Sequence, residues 1–253
     1  MKTLTHYLYA IVICVPLLAT GCNFGQRTAL AAPTGGTGTQ TPAPAAAASN
    51  PQRSEKPSIN PETAATRVAN PIYHPGSTES LELSGTFQGQ KTIEVSGKIT
   101  LIVAKESSHG KSVNAMNSSL ELYYGDGKRH QIQDATVYGP QSDGSLRLLY
   151  KESGSGQRWV ESTTCPAEPA DFIEGHTDGC EVHYDDGSSE KSTSTVTKEG
   201  DYVKVTWISQ SKDKDGIHNS TETYWYDVTT GHLVRYSGTI TLADGSQMTL
   251  TGK

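Results

Sequence analysis

The sequence predicts an all-β domain over residues 76–253, with about nine or ten antiparallel strands arranged as a barrel, half-barrel or sandwich. Six Asp-Gly pairs divide this region at short intervals. An Asp-Gly pair between alternating apolar residues is a strong hairpin signal, because a type I′ turn needs positive φ at both central residues. The region also contains no stretch of ten or more residues with helical periodicity, so we expect neighbouring strands joined by tight turns.

Apolar and polar residues alternate most clearly between Ile93 and Val103, where the odd positions are apolar apart from Gly97. A period of two predicts a long half-buried strand, and the glycine predicts a bend within it. Between Ile132 and Ala135 the phase of the apolar residues changes, which predicts a bulge. The period of two recurs in three other segments, 120–124, 146–150 and 203–207.

The first 75 residues carry the features of an export signal followed by a linker. In residues 1–21, Lys2 precedes a short apolar run that ends in small residues, which is the order of a secretory signal peptide. The apolar run is shorter than the roughly 20 residues that a membrane-spanning helix needs. Residues 22–75 are rich in Ala, Pro, Thr and Gly. This composition offers too little apolar surface for folding, so we expect a disordered tether.

The segment Leu17-Leu18-Ala19-Thr20-Gly21-Cys22 resembles the lipobox of bacterial lipoproteins, with Ala19 where that family usually has Leu. The resemblance implies that Cys22 becomes the N-terminus and carries a diacylglycerol and an acyl chain such as palmitate, which would attach the protein to a lipid bilayer. Asn23 follows, where an Asp in Gram-negative lipoproteins would signal inner-membrane retention. The resemblance therefore favours the outer membrane. The alternative is a cleaved signal peptide followed by an incidental cysteine.

Charge is distributed unevenly between the two parts of the chain. The tether has four basic and two acidic residues, whereas residues 76–253 have 16 basic and 25 acidic residues and a net charge of −9. Proteins that bind nucleic acid usually show a basic surface patch. The acidic domain therefore argues against a nucleic-acid partner.

Cys165 and Cys180 are the cysteines that remain after the signal peptide and Cys22. A pair of cysteines in an exported protein predicts a disulfide. The alternative is a pair of metal thiolates, but the sequence lacks the Cys-x-x-Cys spacing that is typical of zinc sites.

An acidic segment lies between Arg158 and Lys191 and contains nine carboxylates and no lysine or arginine. One interpretation is a solvated acidic loop that keeps the protein soluble. Another is a site for a basic partner, for the acid/base groups of a hydrolase, or for Ca²⁺, which favours several oxygen ligands. The carboxylates predicted to bind calcium are Asp178, Glu181, Asp185 and Asp186.

Tyr224, Trp225 and Tyr226 place aromatic rings on both faces of one predicted strand. These side chains combine an apolar body with a polar tip, which suits half-exposed positions and contacts with a glycan or a peptide. The alternative is ordinary packing between strands. Residues 224–235 also resemble a hairpin of periplasmic lipoprotein-sorting half-barrels, a resemblance that implies an apolar concave face for an acyl chain.

These observations predict a membrane-anchored bacterial envelope lipoprotein whose β domain is a binding or structural module. Its partner would be another envelope protein, a glycan or a lipid. The alternatives from other classes are a calcium-dependent or acid/base hydrolase that uses residues 161–190, and a lipid-handling half-barrel. No catalytic motif points to an enzyme, and no cofactor other than Ca²⁺ is indicated.

Overall fold

The computed structural model describes residues 65–154 and 156–253. The predicted signal peptide, Cys22 and the greater part of the predicted tether lie outside these residues. Within the described ranges, no helix is long and apolar enough to cross a membrane.

The described residues contain fourteen β-strands and one short 3₁₀ helix, Pro71–Tyr73. The strands are β1 (Arg67–Ala69), β2 (Thr78–Gln88), β3 (Thr92–Ser108), β4 (Lys111–Tyr124), β5 (Arg129–Pro140), β6 (Leu146–Ser153), β7 (Gly156–Thr163), β8 (Asp171–Ile173), β9 (Thr177–Tyr184), β10 (Ser189–Glu199), β11 (Tyr202–Asp213), β12 (Gly216–Asp227), β13 (Leu233–Thr241) and β14 (Gln247–Gly252).

Twelve of the described strands form a closed antiparallel barrel, and β1 pairs with β8 in a separate two-stranded sheet. Around the barrel the order is β10-β11-β12-β13-β14-β2-β3-β4-β5-β6-β7-β9. The all-β prediction is confirmed, and the barrel is the arrangement adopted among those expected. The barrel alone has two or three strands more than expected. The separate strands β1 and β8 have three residues each, too few for a visible alternation.

Alternation along β3 determines which side chains enter the barrel. Val95, Ile99, Leu101 and Val103 are buried, whereas the residues between them lie on the outer face. Gly97 belongs to the inner row, and a Cβ there would collide with the Glu121 carbonyl oxygen of β4. Glycine at this position therefore allows the two backbones to approach.

Four hairpin turns share one hydrogen-bond pattern. The N–H of the first residue donates to the carbonyl of the fifth residue, and the glycine N–H donates to the carbonyl of the first. In each turn the Asp carboxylate accepts the backbone N–H two residues later. His109 is the only non-glycine with positive φ among the described residues, so these Asp residues are not in the left-handed region. The turns are therefore type I turns with a left-handed glycine, not the expected type I′. They span residues 124–128, 141–145, 184–188 and 242–246.

The Asp178-Gly179 pair and the predicted bulge both differ from expectation. Asp178 and Gly179 lie inside β9 and pair with β10, so this Asp-Gly forms no turn. The β4–β5 pairing runs without a shift through Ile132 and Ala135, and a register shift occurs instead between Val137 and Tyr138 in the β5–β6 pairing. The apolar phase changes because Ile132 faces the barrel interior whereas Ala135 packs in a small cluster on the outer face.

A plug formed by β1, the 3₁₀ helix and β8 covers one end of the barrel. Val68 and Phe172 from the paired strands join the apolar core, and Ile72 is 1% exposed. Asn70 caps the helix by accepting the Ile72 N–H and donates to the Pro169 carbonyl. The folded domain thus begins ahead of residue 76, because residues 67–73 bury apolar side chains in the barrel. The sequence does not reveal this, since these apolar residues stand among polar ones.

The Cys165–Cys180 disulfide is present, with a Cα–Cα distance of 4.7 Å. Cys180 lies on β9 in the barrel wall, and Cys165 lies at the start of the segment that leads into the plug. Both cysteines are buried. The disulfide therefore joins the plug segment to the barrel.

We expect the Cys165→Ala/Cys180→Ala variant to lose about 3 kcal/mol of unfolding free energy, because the bond closes a loop with a sequence separation of 15. Equilibrium denaturation in urea measures the loss. Reduction of the unmodified protein should reproduce it and should not affect the variant further. A variant as stable as the oxidised protein would contradict this assignment.

Candidate functional site

The barrel interior is apolar near the plug and also along its β13–β5 side. Farther from the plug on the β6–β12 side it is polar, and we call this region the polar end. Near the plug, Trp207 and Tyr226 contact Phe172 with ring centroids 6.3 and 5.3 Å apart. One residue pair farther from the plug along β11 and β12, the hydroxyls of Ser209 and Ser220 are hydrogen bonded at 2.9 Å. Along β11 and β12, the inward side chains thus change from aromatic rings to hydroxyl groups within a few residues.

A buried ion pair between Lys151 and Glu190 occupies the polar end. The Nζ–Oε2 distance is 2.6 Å, and both side chains are 4% exposed. Tyr184 donates its hydroxyl to the same Glu190 oxygen at 3.4 Å. Moving each of these charges from water into the interior costs several kcal/mol. The attraction between Lys151 and Glu190 offsets this cost, because each ion neutralises the other.

Glu222 and Asp134 are further carboxyl groups of the interior. Tyr224 donates its hydroxyl to Glu222 Oε2 at 2.5 Å. Among the described residues, neither Glu222 Oε1 nor the carboxylate oxygens of Asp134 have a hydrogen-bond partner. Burial raises the pKa of Glu222 to about 8, and the nearby Glu190 charge adds to this effect. Burial also raises the pKa of Asp134 to about 6.

We expect Lys151→Met to destabilise the protein by about 3–5 kcal/mol, because Glu190 would then be a buried charge without its cation. The Lys151→Met/Glu190→Met variant should recover most of that loss. The matched control is Lys98→Met, since Lys98 pairs with Glu82 at 3.5 Å on the exposed outer face and such pairs contribute about 1 kcal/mol at most. Urea denaturation gives all three values, and equal losses for Lys151→Met and Lys98→Met would contradict this role.

The four carboxylates predicted to bind calcium are not brought together. Asp178 faces the barrel interior and pairs with His176, whereas Glu181 lies on the other face of β9 and pairs with His183 at 3.2 Å. Asp185 accepts the Trp159 N–H, and Asp186 accepts the Ser188 N–H within its turn. Burial raises the pKa of Asp178 despite the opposing charge of His176.

No group of three or more His, Cys, Asp or Glu side chains that could hold a metal ion occurs in the described part of the chain. Three carboxylates of the acidic segment are buried, namely Glu168, Asp178 and Glu190. The acidic segment is therefore distributed between the interior, the outer face and the turns. Within the described ranges, the four predicted carboxylates therefore do not share one oxygen site.

Tyr224 and Tyr226 point into the barrel and are buried in its core. Trp225 lies on the outer face between two cations, with the Arg235 guanidinium 3.9 Å and the Lys204 ammonium 5.7 Å from the ring centroid. Arg235 also donates to Glu199 at 2.5 Å, which lowers the pKa of that carboxyl. Of the three predicted aromatics, Trp225 alone is on the outer face, and it too is largely buried, with 9% of the residue exposed.

The outer face of β10–β14 carries a concave surface of about 530 Å³, which we call the hydroxyl trough. Among the described residues that line it, Lys191 alone is charged. Ile208 is an exposed apolar residue within it, with 58% of its surface accessible. The uncharged polar side chains along the hydroxyl trough include Thr193, Gln210, Asn219, Thr221, Thr239 and Gln247.

A second concave surface, of about 790 Å³, lies on the outer face of β3–β6. Glu106 and Glu152 give it acidic character, and each is held by an amide, from Asn117 and Gln157 respectively, at 3.0 Å. We call this surface the acidic trough. Its lining is charged, in contrast to the hydroxyl trough.

Sequence reasoning missed both troughs and the buried ion pair. Lys151 and Glu190 are separated by 39 positions, so no local pattern links them. A usable signal did exist for the hydroxyl trough, because Thr193, Thr195 and Thr197 alternate with buried residues along β10. That pattern indicates a run of threonines on the outer face of β10, between Lys191 and Glu199.

A scan against protein-family models finds no match to this chain, and a search of curated proteins finds no similar sequence.

Proposed function

We propose that this protein is a membrane-anchored envelope lipoprotein whose β-barrel binds a neutral, polyhydroxylated chain, that is, a glycan, on the outer face of β10–β14. The observation that carries the proposal is the hydroxyl trough, a concave surface whose described lining has one charged residue in a domain with a net charge of −9. A concave surface with one charged side chain, on a domain that is acidic overall, favours an uncharged ligand.

The side chains of the hydroxyl trough suit sugar hydroxyls. Threonine hydroxyls and the amides of Gln210 and Asn219 both donate and accept hydrogen bonds, as each sugar hydroxyl does. Gln210 already donates to Asn219 Oδ1 at 3.0 Å, which holds the two amides in place. Ile208 offers an apolar contact for the C–H face of a sugar ring.

Strand register arranges these side chains in rows across the barrel. One row runs through residues that lie directly opposite each other on neighbouring strands: Thr193, Ile208, Thr221, Thr239 and Thr249. Neighbouring strands lie about 4.8 Å apart, so the row is a regular series of contacts. A regular polymer can use such a series repeatedly, which favours a polysaccharide over a compact ligand.

The features of the barrel interior favour a ligand on the outer face over a ligand enclosed within the barrel. A cavity among Leu101, Met116 and Tyr226 measures about 20 Å³, which is too small for an acyl chain. Glu222, the carboxyl group with the most strongly raised pKa, is buried in the interior and lines neither trough. These features favour binding on the outer face over lipid handling or acid/base hydrolysis.

For the anchor, we expect Cys22→Ser to abolish acyl labelling and to release the protein from the membrane fraction. Metabolic labelling with a palmitate analogue and cell fractionation measure both effects. Cys14→Ser is the matched control, because Cys14 precedes the predicted cleavage site. Membrane association that persists in Cys22→Ser would contradict lipidation at this residue.

For glycan binding, we expect the purified protein to bind at least one neutral polysaccharide in a panel measured by calorimetry and by co-sedimentation. Gln210→Ala/Asn219→Ala should weaken binding about tenfold or more, because each lost hydrogen bond contributes about 1 kcal/mol. Gln88→Ala is the matched control, since Gln88 is exposed on the outer face of β2 and does not line the hydroxyl trough.

Equal binding by the double variant and the control would place the ligand elsewhere on the protein. The absence of binding to every neutral polysaccharide in the panel would contradict a glycan function.

A further inference from the structure

Side chains of four different strands converge at the polar end of the barrel interior. Asp134 comes from β5, Lys151 from β6, Glu190 from β10 and Glu222 from β12. Lys151, Glu190 and Glu222 are each 3–4% exposed. We call these four residues the carboxyl cluster.

The charges of the carboxyl cluster do not balance when all its groups are ionised. Three carboxylates would then share one ammonium group, that of Lys151, which contacts Glu190 at 2.6 Å. The electrostatic field of Lys151 also reaches Asp134 and Glu222. In an interior of low dielectric constant, a second unpaired carboxylate is costly unless it is protonated.

We propose that the carboxyl cluster stores a proton on Glu222 at neutral pH, and that release of this proton loosens the polar end of the barrel. The proposal does not depend on the ligand of the outer face. Under this proposal, the polar end of the barrel interior undergoes a conformational change at alkaline pH.

The contacts of Glu222 identify it as the group that holds the proton. Glu190 has the Lys151 ammonium and the Tyr184 hydroxyl as partners. Glu222 has the Tyr224 hydroxyl on Oε2 and, within the described residues, no partner on Oε1. Its pKa of about 8, raised first by burial and then by Glu190, agrees with this geometry.

The other titratable groups around the carboxyl cluster do not supply a second neutralising cation at Glu222. Arg158 on β7 is half-buried, lies 5.0 Å from the Tyr184 ring centroid and interacts with Asp134. His218 on β12 is 3.3 Å from Asp213. The remaining titratable groups that face the interior from the packed elements are Tyr124, His130, Tyr138, Glu168, Asp178, Tyr184, Tyr224, Tyr226 and Tyr236.

The sign of the pH dependence follows from the raised pKa. An unfolded glutamate loses its proton near pH 4.3, whereas folded Glu222 loses it near pH 8. The stabilising effect of the proton is complete below the unfolded pKa, and it is lost progressively as pH rises to the folded pKa. Asp134, with its pKa raised to about 6, contributes in the same direction at lower pH.

The test compares the purified protein with Glu222→Gln, which keeps the shape of the side chain and cannot ionise. Between pH 6 and pH 8 the folding equilibrium constant of the unmodified protein should fall by up to about a hundredfold. The fall should be nearly absent in Glu222→Gln. Glu94→Gln is the control, because Glu94 is exposed on the outer face of β3 and should leave the pH profile unchanged.

A direct measurement on the unmodified protein avoids any effect of substitution on folding. With ¹³C-labelled glutamate, one side-chain carboxyl resonance should titrate near pH 8, and it should be missing in Glu222→Gln. Amide hydrogen exchange in β10 and β12 at the polar end should then rise above its intrinsic pH dependence between pH 7 and pH 9. A protein whose glutamates all titrate below pH 6, or whose exchange rises only intrinsically, would overturn the proposal.

Discussion

Closure of the twelve-stranded sheet is the constraint on which the rest of the described structure depends. Because β14 pairs with β2 and β9 pairs with β10, every barrel strand has hydrogen-bonded neighbours on both sides. Alternate side chains of a strand point to opposite faces, so closure assigns each residue either to a sealed interior or to the outer face. Interior residues must find their partners among the other inward side chains, whereas outer residues remain available to ligands.

The interior meets this requirement in two different ways. Near the plug, rings such as Trp207 and Phe172 pack edge to face and need few polar partners. At the polar end, Glu190 accepts hydrogen bonds from Lys151 and Tyr184, and Glu222 depends on Tyr224 and on its own protonation. A buried polar network that is only partly satisfied costs stability. Because Glu222 lies opposite Trp207 in the β11–β12 pairing and Tyr224 contacts the Trp207 ring, this cost borders the aromatic core.

Local sequence signals predicted the elements that depend on neighbours in the chain. The alternation from Ile93 to Val103 fixed both the existence of β3 and its inward face, and most Asp-Gly pairs marked turns. The same signal failed at Asp178-Gly179, because pairing with β10 overrides the turn preference of that dipeptide. Long-range contacts left no local trace. The ion pair of Lys151 and Glu190, the pairing of β1 with β8 and the inward direction of Tyr224 all depend on partners far away in the sequence.

The two faces of β10 and β12 connect the interior to the hydroxyl trough. Glu190 and Glu222 point inward from these strands, while Thr193 and Thr221 point outward only one to three residues away. The rows of the hydroxyl trough exist because backbone hydrogen bonds hold adjacent strands in register. The spacing of the rows is therefore only as rigid as those hydrogen bonds. A ligand that binds a regular row favours the state in which these hydrogen bonds are intact. Since the proton on Glu222 favours that same state, ligand binding and protonation should reinforce each other, although the two sites lie on opposite faces of the sheet.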